Sequence, residues 1–193
     1  MRYSNEHKAQ TRQKLLDSSA SLAKEGGFAS TGVDALMKAI GLTGGAFYSH
    51  FSSKEDLFAH LVAQELARSV ALLSELPGQG TEKLRHAFAL YLNPKHVAAL
   101  GQGCMLPSLG SEISRATPEV RQNVEQALQT LVSRWANEHP QPELAWGMLA
   151  QCVGSIVLAR MLATEAAQQA VLASSQQLLE QLLTVQAEKT PAK

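Results

Sequence analysis

TGVDALMKAIGLTGGAFYSHFSSKEDL, residues 31–57, encodes two short helices folded about a tight turn and the start of a third. Val33, Leu36, Met37 and Ile40 recur at three- and four-residue steps, which places them on one face of a helix. Gly41 follows where the chain must reverse, a position that favours a residue able to take positive φ. Thr43 is placed to cap a second short helix whose Ala46, Phe47 and Phe51 face inward, leaving Gly44, Gly45, Tyr48, Ser49 and His50 outside. The pattern is a helix-turn-helix, in which the second helix enters a DNA major groove. That helix carries no Lys or Arg.

The flanks support the motif. A first helix over about 6–24 follows from Leu15, Leu16, Ser19, Leu22 and Ala23, and Gly26-Gly27 ends it. Phe28 then plugs the small core, and Thr31 with Asp34 reads as a capping box for the next helix. Ser53 opens a fourth helix with Lys54, Glu55 and Asp56 in its first turn. Leu57, Phe58, Leu61, Val62, Leu66, Val70 and Leu73 give it one apolar face to about residue 75. At the other end, Arg2, Lys8, Arg12 and Lys14 stand against Glu6 alone, either a positive arm suited to phosphates or simply a solvated helix start.

Gly27-Phe28, Thr31, Gly41-Leu42-Thr43, Gly45, Phe47-Tyr48, His50-Phe51 and Ser53-Lys54-Glu55-Asp56-Leu57 together resemble, in type and spacing, the DNA-binding region of the TetR/AcrR family of bacterial repressors. The resemblance implies an all-α homodimer whose partners are a double-stranded DNA operator and a small-molecule inducer. It implies a helix-turn-helix domain over 1–53 and a helical ligand-binding and dimerisation domain over 54–193, about nine helices in all. Tyr48 and His50 fall where many relatives touch the DNA backbone. With Thr31, Thr43, Gly44, Gly45 and Lys54 they form the expected DNA-binding set. Gly44 departs from the family pattern, which often has a longer polar residue there, so close backbone approach replaces side-chain readout.

Beyond the motif, 77–80 (Pro-Gly-Gln-Gly) breaks the chain and Thr81 is expected to cap a helix carrying Leu84, Ala87, Phe88, Tyr91 and Leu92, stopped by Asn93-Pro94. A loop at 101–105 leads to a short helix over 106–114 with Pro107 in its first turn. Thr117-Pro118-Glu119 starts a helix striped with Val120, Val124, Leu128, Leu131, Val132 and Trp135. An eighth helix covers about 143–162 and a ninth about 165–186, and a disordered tail is expected over 188–193. Gly147, Ala150, Gly154 and Ser155 would let a partner helix approach, so these last two helices are the expected dimer interface.

Seventeen basic residues balance seventeen acidic ones among 193, so net charge alone does not mark a nucleic-acid binder. Two cysteines without a CxxC, and a polar N-terminus without a secretory signal, fit the cytoplasm. The apolar run 144–163 has nearly the length of a membrane span but contains Gln151 and Arg160, and it reads as an interface helix, with no membrane partner. No Gly-x-Ser-x-Gly, phosphate loop, HExxH or metal-ligand spacing occurs, so neither an enzyme nor a metal or other cofactor is expected. Phe88, Tyr91, Cys104, Met105, Leu109, Trp135 and Trp146 are the candidate lining of a mainly apolar ligand pocket. Cys104, just ahead of a helix, is either a reactive thiol or a small core filler. The rival reading of the whole chain is a helical carrier that does not bind regulatory DNA.

Overall fold

The computed structural model describes residues 5–184, and among them every regular element is helical. Nine α-helices run in order: α1 Asn5–Gly26, α2 Val33–Ala39, α3 Lys54–Ser74, α4 Gly80–Tyr91, α5 Pro94–Ala98, α6 Leu106–Ser114, α7 Pro118–Glu138, α8 Ala145–Met161 and α9 Glu165–Thr184. Two 3-10 helices, Gly44–Ser49 and Pro142–Leu144, precede α3 and α8. The all-α expectation holds. The tail expected at 188–193 lies outside the described residues, as does Arg2.

The helices form two compact units, Met1–Ala67 with Leu100–Val124, and Arg68–Ala99 with Glu125–Lys193. The boundary expected at residue 53 falls inside the first unit, which extends into α3 and takes in α6. Its core is Leu15, Leu16, Ala23, Phe28, Leu36, Met37, Phe47, Phe51, Leu57 and Leu61, joined by Met105, Leu109 and Ile113. Lys24 and Glu65 are buried in the same unit as an ion pair of 2.7 Å, and the Lys24 ammonium also donates to the Gly103 carbonyl at 3.1 Å.

In the second unit α4, α7, α8 and α9 bury Leu84, Phe88, Tyr91, Trp135, Met148, Ile156, Leu172 and Leu179. Phe88 meets Trp135 edge-on with ring centroids 5.5 Å apart. His139 is buried where α7 ends: Nδ1 accepts from the Gln141 N–H at 2.9 Å, leaving Nε2–H to face the Leu182 carbonyl at 3.3 Å. Gln151, Ser155 and Ser175 make a hydrogen-bonded cluster between α8 and α9, with the two serine oxygens 2.7 Å apart.

Several local expectations are corrected. The residue ahead of α2 is Gly32, without a side-chain cap, and the Thr31 hydroxyl donates backward to the Gly27 carbonyl at 2.8 Å, so there is no Thr31–Asp34 capping box. Thr43 does precede the next helix, but caps it with no side-chain bond, and that helix is 3-10. Thr81 does not cap α4, which begins at Gly80, whose N–H is taken by the Glu138 carboxylate at 2.6 Å. Asn93 does more than stop α4: its side chain accepts from His96 N–H at 3.0 Å and caps α5, a helix too short to show a period.

Candidate nucleic-acid interface

The turn between α2 and the 3-10 helix forms as the sequence dictates. Gly41 takes φ +75, Leu42 N–H donates to Met37 O at 2.9 Å and Gly41 N–H to Lys38 O at 3.0 Å, the paired bonds of a Schellman helix end. The 3-10 helix is pinned by Phe47, fully buried, which packs edge-on against Tyr48 at 5.3 Å and lies 6.0 Å from Phe51. Tyr48 itself is 68% exposed, so the hydroxyl expected at the DNA surface does point to solvent.

The two adjacent glycines differ. A β-carbon on Gly45 would meet nothing within 4 Å, whereas one on Gly44 would collide with the Asp34 carboxylate. Gly44 therefore leaves room for the Asp34 carboxylate of α2, a role that spacing did not reveal, and Gly45 presents bare backbone outward.

Basic residues of α1 gather at the end of this helix. The Arg12 guanidinium stacks 4.4 Å above the Phe51 ring. His50 is partly buried and its Nδ1 has no hydrogen-bond partner. Burial, then the charges of Lys8 and Arg12, hold its pKa below the ordinary 6.5. So the positive charge that the 3-10 helix lacks comes from α1, whose Lys8 and Arg12 both act on His50.

Lys54 is at the first position of α3, but its ammonium is already engaged, donating to the Ala29 carbonyl at 2.9 Å and lying 4.9 Å above the Phe28 ring. The α3 start is firmly capped. Ser53 Oγ accepts from the Asp56 N–H at 3.1 Å, and the Asp56 carboxylate accepts from the Ser52 N–H at 2.8 Å and its hydroxyl at 2.9 Å. The Ser52 backbone and hydroxyl bonds hold the Asp56 carboxyl below its usual range. Thr31 is half-buried and Thr43 exposed.

The expected ligand-pocket residues divide between the units. Cys104, Met105 and Leu109 belong to the first, where the latter two are fully buried and Cys104 is half-buried. Phe88, Tyr91 and Trp135 lie in the core of the second, and Trp135 Nε1 is buried without a hydrogen-bond acceptor. Trp146 stands apart from that core: it is 50% exposed on α8. Among the described residues no group of three or more His, Cys, Asp or Glu is arranged to hold a metal.

The family model for bacterial regulatory proteins, tetR family, matches residues 15–61, the segment just described. The HTH-type transcriptional regulator AcrR of Shigella flexneri is 42% identical over 52 residues, 27% of this chain and 24% of AcrR. The HTH-type transcriptional regulator UidR of Escherichia coli strain K12 is 28% identical over 110 residues, 57% of this chain and 55% of UidR. The matched stretches thus span about a quarter and about half of these curated relatives. Among solved structures, the reduced form of E. coli NemR superposes with a TM-score of 0.76 at 19% identity, covering 90% of this chain and 97% of NemR. A TetR-family regulator from Agrobacterium tumefaciens gives 0.76 at 20% identity, covering 92% and 100%. At these identities the solved structures speak for the fold.

Proposed function

We propose, from the premise that this chain belongs to the TetR/AcrR family of transcriptional regulators, that it is a cytoplasmic repressor that binds a palindromic operator as a homodimer and is released by a small inducer. The observation that carries the reading is the 3-10 helix Gly44–Ser49, anchored inward by Phe47 and presenting Tyr48 and the bare Gly45 backbone outward, with Lys8, Arg12 and His50 alongside. Shape and phosphate charge are read by such a surface more than base edges are. Residues 1–53 are assigned to DNA, and 54–193 to ligand binding and dimerisation. Thr31, Thr43 and Lys54 complete the DNA face, Lys54 chiefly by holding the loop at Ala29.

The dimer reading is supported by α8. One of its faces buries Met148, Leu149, Cys152, Ile156 and Ala159, while Trp146, Leu158 and Met161 on the other are 50%, 56% and 72% exposed. The segment Pro142–Met161 is apolar and long enough to cross a membrane by composition alone, yet it carries Arg160, which donates to the His96 carbonyl at 2.8 Å. A second copy of the chain is the cover proposed for its open face, with α9 contributing Leu178, also exposed.

An apolar inducer with one hydrogen-bond acceptor suits Phe88, Tyr91 and Trp135, because the buried Trp135 N–H lacks an acceptor. An electrophile acting at Cys104 is the covalent alternative. Treating wild type and Cys104→Ser with a mild electrophile separates them: release of DNA from wild type alone assigns the thiol, and equal behaviour assigns a noncovalent inducer.

The test of the whole reading is a gel shift and footprint on the DNA flanking its own gene, with sizing by light scattering. Protection of two symmetric half-sites by a dimer is expected. Protection of a single half-site, or a monomer at micromolar concentration, would overturn the palindromic dimer.

A further inference from the structure

We propose that Glu112, on α6, is a positioning residue for DNA binding, holding the loop that sets α2 and through it the reading helix. The inference rests on the DNA-binding reading above. Glu112 Oε1 accepts from the Phe28 N–H at 3.0 Å and Oε2 from the Ala29 N–H at 3.0 Å, so one carboxylate grips two consecutive amides. A charged acceptor gives the stronger class of hydrogen bond, and two parallel bonds fix direction as well as distance.

The rest of the loop is built around that grip. Gly27 turns the chain with φ +85, and a β-carbon there would stand 3.1 Å from Glu112 Oε1, so the glycine makes the turn and leaves room for the carboxylate. From the other side Lys54 Nζ takes the Ala29 carbonyl, and the Phe28 ring packs on Phe58 at 4.7 Å. The Ser30 hydroxyl closes back on Gly26 O at 2.7 Å and that of Thr31 on Gly27 O at 2.8 Å. Gly32 then leads directly into α2, where Asp34 fills the space beside Gly44 of the reading helix. A fixed peptide at 28–29 therefore fixes α2, and α2 fixes the 3-10 helix that presents Tyr48.

The test uses full-length wild type, Glu112→Ala and Glu112→Gln against the flanking DNA, by anisotropy across a salt series, with melting temperature and hydrogen exchange followed in parallel. Both variants lose the same negative charge, so any general gain in attraction to DNA is shared. Only the glutamine keeps a carbonyl for one of the two amides. Glu112→Ala is expected to bind about tenfold more weakly with a shallower salt slope, because phosphate contacts are lost from register. Its Phe28 and Ala29 amides exchange faster, and Glu112→Gln falls between it and wild type. A purely structural role would lower the folded fraction and leave the slope of the folded protein unchanged, and that result overturns the proposal. So do three proteins with equal affinity and slope. If Glu112→Ala does not fold, Glu112→Gln against wild type decides by the same readouts. A wild type that fails to bind the DNA overturns the DNA-binding reading and this inference with it.

Discussion

The carboxylate of Asp34 fills the space in which a β-carbon on Gly44 would stand. Gly44→Ala must push that carboxylate aside, and because Asp34 is exposed its side chain can turn away while the backbones of α2 and the 3-10 helix stay in place. Gly44 is not in the left-handed region, so alanine is compatible with the backbone and the folding effect is small. Operator affinity is expected to fall by about threefold through the displaced carboxylate, and Asp34→Ala on top of Gly44→Ala to restore much of it. The double-mutant cycle should give a coupling of about 0.5–3 kcal/mol. Additive losses would show that the two positions are independent.

Lys24 and Glu65 have side chains only 5% and 9% exposed, and the ammonium serves Gly103 as well. Removing one partner strands a buried charge. Lys24→Met or Glu65→Leu alone should each destabilise by ~3–5 kcal/mol in urea unfolding, while the double replacement should recover most of the loss. Single variants within about 0.5 kcal/mol of wild type would mean that water reaches the pair.

The parts of this fold legible in the sequence are those whose cause is local. Gly41 after Leu36, Met37 and Ile40 foretells the helix end that Leu42 and Met37 close, and Pro107 foretells α6 over Leu106–Ser114. What the sequence does not disclose are bonds made across the chain. Asp34 has the spacing of a capping residue, but its carboxylate goes to Gly44 on the next helix. Thr81 looks like a cap, but the start of α4 is set by Glu138, 58 residues away. Glu112 is 84 residues from the Phe28 amide it binds, and a carboxylate paired with backbone N–H groups leaves no mark in residue type at the other end. In the site, the outward Tyr48 and Gly45 are legible, while the seating of Gly44 against Asp34 and the influence of Lys8 and Arg12 on His50 depend on how α1 and α2 pack.

His50 gives the site a pH dependence whose sign can be stated. Burial and the nearby Lys8 and Arg12 keep its folded pKa below the ordinary 6.5, so below 6.5 the unfolded chain gains a proton that the folded chain resists. Its share of folding stability is therefore full above that pH and is lost as pH falls through and below it. A DNA phosphate acts in the opposite direction, favouring the charged imidazole, so binding takes up a proton. Operator affinity should rise as pH drops from 6.5 toward the lowered pKa of the free imidazole, by at most about tenfold per unit per histidine. In His50→Gln the profile should be flatter. The same slope in both proteins would remove His50 from the phosphate contacts.

The open face of α8 makes the final prediction, because a dimer bound to a palindrome depends on it doubly. Gly147 and Gly154 have nothing within 4 Å of where a β-carbon would stand, and Leu158 and Met161 are exposed near the end of the helix. In the proposed interface an arginine at Leu158 would put a charge into an apolar face on each subunit, while leaving the buried face of α8 untouched. Leu158→Arg should therefore size as a monomer at micromolar concentration with unchanged helix content. Its affinity for the full operator should fall by about two orders of magnitude, since the second half-site is no longer bound at high effective concentration. Binding to one half-site should persist. Leu90 on α4 is 40% exposed and outside the proposed interface, so Leu90→Arg serves as the control and should stay dimeric. If Leu158→Arg remains a dimer with full operator affinity, α8 is not the interface; if Leu90→Arg is the variant that dissociates, the interface lies on α4.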